Sequence, residues 1–533
     1  AITLAVAIGI SLIVSLTLTP MMCALFLKQG HPTRRDEAVA TETHAHGDMF
    51  DRTIVAYGHG LDWVLKHQRL MLGATVGTLA VTVLLYLAVP KGFFPVQDAG
   101  LVQGISEAPQ SVSFQAMSSR QQALADELLK DPDVVSLSSF IGVDGNNATL
   151  NNGRFLIELK PHAERKAGAQ QIITRLQQRA AHVPGIALYL QPVQELSIED
   201  RISRTQYQFT LTSPDFDELS TWAPRLIETL QAHPALADVA SDLQNQGLQV
   251  HLQIDRNAAA RLGIPVSAIA DALYDAFGQR QVSTIFTQAN QYRVVLEAHP
   301  DFQLGPEAIE RIHVTAADGS QVPLSGIARL KQRPASLLIN HIGQFPAVTV
   351  SFNLAPDASL GEAVAAIEKL HAQSGMPDSV ELRLQGASAA FRNSLSSTLW
   401  LILAAVLVMY IVLGVLYESF IHPITILSTL PSATVGALLA LLIVGQSLDL
   451  IAVIGIILLI GLVKKNAIMM IDFALEAERE QGLSPRQAIH QAALMRFRPI
   501  LMTTLAALFG AIPLMFASGS GAELRQPLGL VMV

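Results

Sequence analysis

The sequence runs to 533 residues, half of them apolar and only 15% charged, which is too apolar for an ordinary soluble enzyme and too long for one domain. A formal net charge of -8, with no concentrated basic patch, argues against nucleic acid as the partner. Cys23 is the single cysteine and lies in an apolar run, so it forms no internal disulfide and builds no metal site alone.

The chain opens at Ala1 inside a hydrophobic segment and stops at Val533 as another begins, so it reads as a piece of a longer protein. The want of a signal peptide therefore carries no information about targeting. A bilayer core about 30 Å thick is crossed by roughly 20 apolar helical residues. The first such run is 1–27 and the second 70–90. Between them a polar linker leads into "MFDRTIVAYGHGLDWVLKH", whose helical spacing predicts an amphipathic helix on the membrane surface, so 28–69 is linker plus surface helix. His44 and His46 lie in that linker, where two imidazoles are more often plain solvated surface than a metal site. Gly73 and Gly77 make a GxxxG spacing on the second run, a match common by chance in apolar segments.

The long segment that follows changes rhythm. Residues 101–107 read as a strand, 113–130 as a helix, "VVSLSSFIG" and 154–160 as strands, 164–182 as a helix and "IALYLQ" as a strand. That is a split β-α-β pair of the ferredoxin-like kind. The pattern restarts with a strand at 205–212, a helix at 215–232 and "LADVASD". Its second half, strand 347–354, helix 359–373 and "VELRLQ", arrives about 100 residues later. An insert, 248–335, intervenes, with a helix from Pro265 to Phe277 and a hairpin formed by "QVSTIFT" and "QYRVVLE".

Four further runs close the chain: 393–417, 419–448 with His422-Pro423 at its start, about 450–475, and 499–522. Six spans are thus expected. The side holding 28–69 and 473–498 carries ten Lys and Arg, against four (Lys91, Arg383, Arg392 and Arg525) on the other. By the positive-inside rule the first side is cytoplasmic and 91–392 is periplasmic.

The run at 450–475 contains Lys464, Lys465 and Asp472. A lysine at bilayer depth costs roughly 2.5–3.5 kcal/mol on insertion scales, so it calls for a partner. Asp472 lies seven residues beyond Lys465, about 10 Å along the helix and too far for a direct pair. The other five runs contain no Asp or Glu, so the partner of Lys465 is expected outside this chain. Lys464 points about 100° away from Lys465, where snorkelling or a supporting role suffices.

The motifs "SLTLTPMMCALFLK", "PKGFFPVQDAG", "GQRQVSTIFTQANQYRVVLE", "YESFIHPITILSTLPSA", "IGLVKKNAIMMIDFALEAEREQG" and "RFRPILMTTLAALFGAIPLM" span the chain. Together with its organisation, they resemble the C-terminal half of resistance-nodulation-division (RND) exporters. The resemblance implies a membrane α-helical bundle, six spans present of an expected twelve, plus α+β periplasmic porter subdomains of ferredoxin-like type and an inserted docking subdomain. Residues 1–27 become the family's sixth helix, 91–204 a porter subdomain, 205–247 and 336–390 a second, 248–335 the docking subdomain, 393–522 four membrane helices and 523–533 the start of the last.

It further implies a bacterial inner-membrane, proton-driven multidrug efflux subunit. Its partners would be a periplasmic adaptor, an outer-membrane channel and two further protomers, identical or a close paralogue, with amphipathic drugs as cargo. The match places the family's relay lysine at Lys465, facing two aspartates on a helix before Ala1, and its other relay positions at Thr503 and Arg496. Asp472 and Asn466 are further relay candidates, although Asp472 lies where an acid is readily solvated and Asn466 can equally bond a neighbouring helix. A membrane threonine also commonly bonds its own helix, and Arg496 sits where a cation is expected in any case.

For the drug path, position singles out Phe140, with Phe155 and Leu156 beside it; alternation forbids the last two from lining one side, and each is also a core candidate. The loop "GVDGNNATLNNG" is a candidate gate or a plain mobile loop. Rival readings are metal-ion export, for which no ligand spacing is visible, and an assembly or energising subunit that carries no substrate. No nucleophile-base set, phosphate loop or metal motif stands out, so neither an enzyme nor a cofactor is expected.

Overall fold

The computed structural model describes residues 2–26, 49–142, 149–196, 198, 202–303, 305–356 and 358–533. The linker with His44 and His46 and most of the "GVDGNNATLNNG" loop lie outside the described residues. Two compact units result, 1–68 with 474–498, and 69–473 with 499–533.

In chain order, helices α1 (Ile2–Phe26), α2 (Met49–Lys66) and α3 (Gln68–Ala88) come first. A first α/β block follows: β1 (Leu101–Glu107), α4 (Phe114–Leu129), β2 (Val134–Ile141), β3 (Asn152–Leu159), α5 (Ala169–Ala180) and β4 (Ala187–Pro192). Its antiparallel sheet has the order β2-β3-β1-β4, the split β-α-β arrangement. Apolar residues of α4 and α5, among them Met117, Leu124, Ile172 and Leu176, cover one sheet face and join Val102, Phe155 and Ile157 in a closed core. Ser113 caps α4 by accepting the Ala116 N–H, which fixes where that helix begins.

The second block starts with β5 (Tyr207–Thr212), α6 (Phe216–Gln231) and β6 (Leu236–Ser241). The insert then supplies β7 (Gly247–Ile254), α7 (Arg256–Arg261), α8 (Val266–Phe277), β8 (Arg280–Phe286), β9 (Gln291–Leu296), α9 (Glu307–Glu310), β10 (His313–Thr315), β11 (Gln321–Pro323) and β12 (Ala328–Ala335). The chain returns through β13 (His341–Ile342), β14 (Phe345–Leu354), α10 (Leu360–Gln373) and β15 (Glu381–Gln385). Although about 100 residues separate them in sequence, β14 lies between β6 and β5, and β15 closes the other edge. In the insert β7 pairs with β12, so it leaves and re-enters the block as one antiparallel ribbon. The β8–β9 hairpin forms as the sequence predicts.

The remaining helices are α11 (Gly386–Tyr417), α12 (Ile421–Leu427), α13 (Leu430–Val444), α14 (Leu450–Gln481), α15 (Pro485–Met515) and α16 (Ala522–Met532). Among the described residues five helical stretches are long and apolar enough to cross a membrane: Gln68–Ala88, Trp400–Tyr417, Ile421–Val444, Leu450–Gln481 and Pro485–Met515. This corrects the expected six. The run not among the five is 1–27, which forms α1 (Ile2–Phe26) with Gly9–Met22 as its apolar stretch among the described residues. α11, α14 and α15 also run past the apolar segments that announce them, because helical hydrogen bonding continues through the polar turns at their ends.

In the smaller unit α2 turns Ile54, Tyr57, Leu61 and Val64 inward at helical spacing. Tyr57 stacks on Phe497 with ring centroids 4.6 Å apart. His490 Nε2 lies 3.4 Å from Asp62 Oδ1. In the larger unit, α3, α13, α14 and α16 contribute Leu85, Leu441, Ile456 and Val531 to one apolar cluster.

Candidate functional site

α14 is a 32-residue helix without proline that carries both lysines and Asp472. Asp449 sets its start: the carboxylate accepts the Ala452 N–H at 2.7 Å, the bond an N-cap supplies. A rotation of about 100° along the helix separates the fates of these neighbouring residues. Lys464 is only 8% exposed, whereas Lys465 lies on a face that this chain leaves uncovered. Neither lysine is in an ion pair with the described residues. Asn466, beside them, is half-buried.

Asp472 is exposed towards the far end of α14, well separated from Lys465 along the axis. Its neighbour is one the sequence reading missed: the Tyr417 hydroxyl at the end of α11 lies close enough to interact with its carboxylate. The same hydroxyl lies 3.4 Å from the Ile468 carbonyl, and the His422 ring meets the Tyr417 ring edge-on at 6.1 Å. A tyrosine in "VLYESF" at the end of an apolar run was the available signal, but the pairing joins residues 55 positions apart. No local pattern encodes it.

On α15 the Thr503 hydroxyl donates to the Ile500 carbonyl at 3.0 Å, the bond to its own helix that a membrane threonine commonly makes. Arg496 is half-buried on the same helix, in the smaller unit.

In the first α/β block, β2 and β3 pair so that Phe140 faces Arg154, Ser139 faces Phe155 and Ser138 faces Leu156. Alternation then divides the three candidates. Phe140, 59% exposed, and Leu156, 43% exposed, share the open face, and Phe155, fully buried, joins the core beneath α4 and α5.

Charged groups brace both blocks. Arg165 grips Asp98 through two bonds of 2.5 and 2.8 Å, and Asp98 also accepts the Ala169 N–H at 2.8 Å. Burial pushes the Asp98 carboxyl up, but Arg165 and the backbone donors outweigh it and hold it below the usual carboxylate range. Asp131, buried beside Arg175 at 2.5 Å, is held low in the same way. Asp242 behaves in the opposite sense: burial raises its pKa, although it accepts the Thr349 N–H and the Asn340 amide, each at 2.7 Å.

The larger unit also contains a cleft of about 650 Å³ beside the end of α3, with Lys91, Glu368, Phe391 and Arg392 in its wall. Arg392 is paired with Glu368 at 2.9 Å. Among the described residues no group of three or more His, Cys, Asp or Glu is arranged to hold a metal ion.

Apolar helices of membrane-spanning length are joined to two split β-α-β sheets, of which one carries an insert. The chain belongs to the AcrB/AcrD/AcrF family, which matches it over residues 1–533. Its fold is similar to that of a heavy metal efflux pump solved by X-ray crystallography in two crystal forms. Form II gives a TM-score of 0.80 at 24% identity, covering 90% of this chain and 50% of that one. Form I gives 0.78 at 24% identity, covering 90% and 49%. The chain thus spans about half the length of the pump whose fold it shares.

Proposed function

We propose that this chain is the C-terminal half of a proton-driven export subunit in a bacterial inner membrane, a secondary transporter of amphipathic drugs. The observation that carries this reading is Lys465: a cation on an apolar helix, on a face this chain leaves uncovered and in no ion pair with the described residues. Such a charge needs carboxylates from elsewhere in the transporter. Two adjacent carboxylates cannot both ionise cheaply, and a nearby ammonium governs how readily they take up a proton. Protonation would release the lysine and let α14 shift, with Thr503, Arg496, Asn466 and Asp472 along the relay.

In this reading 91–204 and 205–247 with 336–390 are porter subdomains that alternately open a drug cleft, and Phe140 and Leu156 supply apolar wall. The insert 248–335 docks towards an outer-membrane channel, and a periplasmic adaptor seals a trimer of like or paralogous subunits. The wording of the motifs resembles that of the multidrug resistance protein MdtB, which pairs with MdtC. A subunit that energises or assembles a heteromeric pump without carrying cargo uses the same lysine.

The fold likeness to a heavy metal efflux pump supports a second reading, in which the cargo is a metal ion. One experiment addresses both. In cells making the full-length transporter, Lys465→Ala should abolish ethidium efflux while assembly persists. Wild-type ethidium efflux in that variant overturns the relay, and Lys465-dependent export of Zn²⁺ or Cu⁺ without ethidium export favours the metal reading.

A further inference from the structure

Residues 90–93 form a strap between the membrane helices and the second α/β block. On one side, Lys91 and Leu448 form a parallel bridge. The Gly92 N–H donates to the Leu448 carbonyl at 3.2 Å, the Leu448 N–H to the Pro90 carbonyl at 2.8 Å and the Leu450 N–H to the Phe93 carbonyl at 3.0 Å. On the other side, the Gly361 N–H at the start of α10 donates to the Lys91 carbonyl at 3.2 Å. The strap's flanks are anchored in different cores. Val89 and Leu448 belong to the membrane cluster, and Phe93 belongs with Phe391 to the core of the second block.

The approach is close enough that a side chain at Gly92 would crowd it. A Cβ on Gly92 would lie 2.5 Å from the Ser447 Oγ and 3.2 Å from its Cβ. Three backbone bonds of ordinary length, in tight packing, leave little room for the strap and the head of α14 to slide past each other. Leu450, the first residue of α14, is one of the bonded groups. It lies 15 residues from Lys465, about 22 Å along a helix.

We propose that Gly92, Ser447 and Leu450 are positioning residues that transmit displacement of the lysine-bearing helix α14 to the second α/β block through this strap. The proposal rests on the proton-coupling reading of Lys465. A competing route exists in α11, which starts within the second block, carries Phe391 into its core and meets Asp472 through Tyr417.

The two routes separate by substitution. Leu450 occupies the first helical position, where proline is tolerated and its fixed backbone suits the helix. Leu450→Pro therefore deletes the bond to Phe93 and leaves α14 intact, and Leu450→Ala removes the same side chain while keeping the bond. Gly92→Ala crowds the strap, and Ser447→Gly in the same chain removes both crowding atoms.

The test is amide hydrogen exchange of α10 in the full-length transporter in nanodiscs, with Lys465→Ala standing for the released lysine at constant pH. The expected outcome is that Lys465→Ala alters α10 exchange by about threefold or more in the wild-type and Leu450→Ala backgrounds. The response should vanish with Leu450→Pro, vanish with Gly92→Ala and return with Gly92→Ala/Ser447→Gly. If the response survives both Leu450→Pro and Gly92→Ala, the strap is not the route although Lys465 still acts, and α11 carries the motion. If Lys465→Ala leaves α10 unchanged in the wild-type background, the coupling role of the lysine fails and the strap falls with it. Should Leu450→Pro not assemble, the glycine pair decides alone.

Discussion

Asp98 and Arg165 show how much one buried pair can fix. The guanidinium is almost wholly enclosed, and removing its carboxylate leaves an uncompensated buried charge. Asp98→Ala is therefore expected to destabilise the first α/β block by about 3–5 kcal/mol. The pH dependence follows from the sign of the shifts. The carboxyls of Asp98 and Asp131 are held below their ordinary values in the folded protein, so their contribution is complete above the unfolded value near pH 4 and is lost as pH falls through the lower folded values. Exchange of α4 and α5 amides, corrected for intrinsic rates, should stay level from about pH 7 to 5 and rise below about pH 4. A rise already between pH 7 and 5 would show that other groups control this block. None of this was legible beforehand, since Asp98 and Arg165 are 67 positions apart. Lys465 was legible, because a cation inside an apolar run declares its cost in the run itself.

At the scale of the element, alternation along β3 stated that Phe155 and Leu156 face opposite ways without saying which way is in. That choice belongs to α4 and α5, which cover one face of the sheet, and no strand periodicity reveals where a helix will pack. The consequence is a sharp contrast between two aromatics one strand apart. Phe155→Ala should cost about 3–5 kcal/mol and accelerate exchange in α4 and α5 by about 100-fold or more. Phe140→Ala should change stability by no more than about 0.5 kcal/mol, while altering which amphipathic dyes the full-length transporter exports. Comparable stability losses from both would place Phe140 in a packed core instead of a wall. Helix ends were less legible than helix existence. α15 begins at Pro485, well before its apolar run, because polar residues such as Arg486 and Gln487 extend a helix as readily as apolar ones. The pairing of β14 with both β5 and β6 was visible as a repeated pattern across the insert, since each half keeps its own period of strand, helix and strand.

For the whole molecule, the uncovered faces matter as much as the cores. The apolar windows of α3, α11 and α15 are only 6% buried by this chain, and Lys465 lies on one of the uncovered faces of α14. Lipid can cover the apolar faces but cannot satisfy an ammonium at bilayer depth. The proposed reading therefore requires a second set of helices, in keeping with a chain that spans about half the length of the pump whose fold it shares. Expressed alone in cells lacking other drug exporters, this chain should insert in the membrane and export no ethidium. Co-expressed as a separate polypeptide with the remaining half of the transporter, it should recover part of the efflux of the unsplit protein, and Lys465→Ala should abolish that recovery. The same variant should still co-purify with the other half, because the contact between the halves spreads over many apolar side chains whereas the coupling is concentrated in one charge. Ethidium export by the chain alone would mean that proton coupling needs no carboxylates from outside it. Loss of co-purification in Lys465→Ala would turn the lysine from a moving relay into a structural clasp between halves.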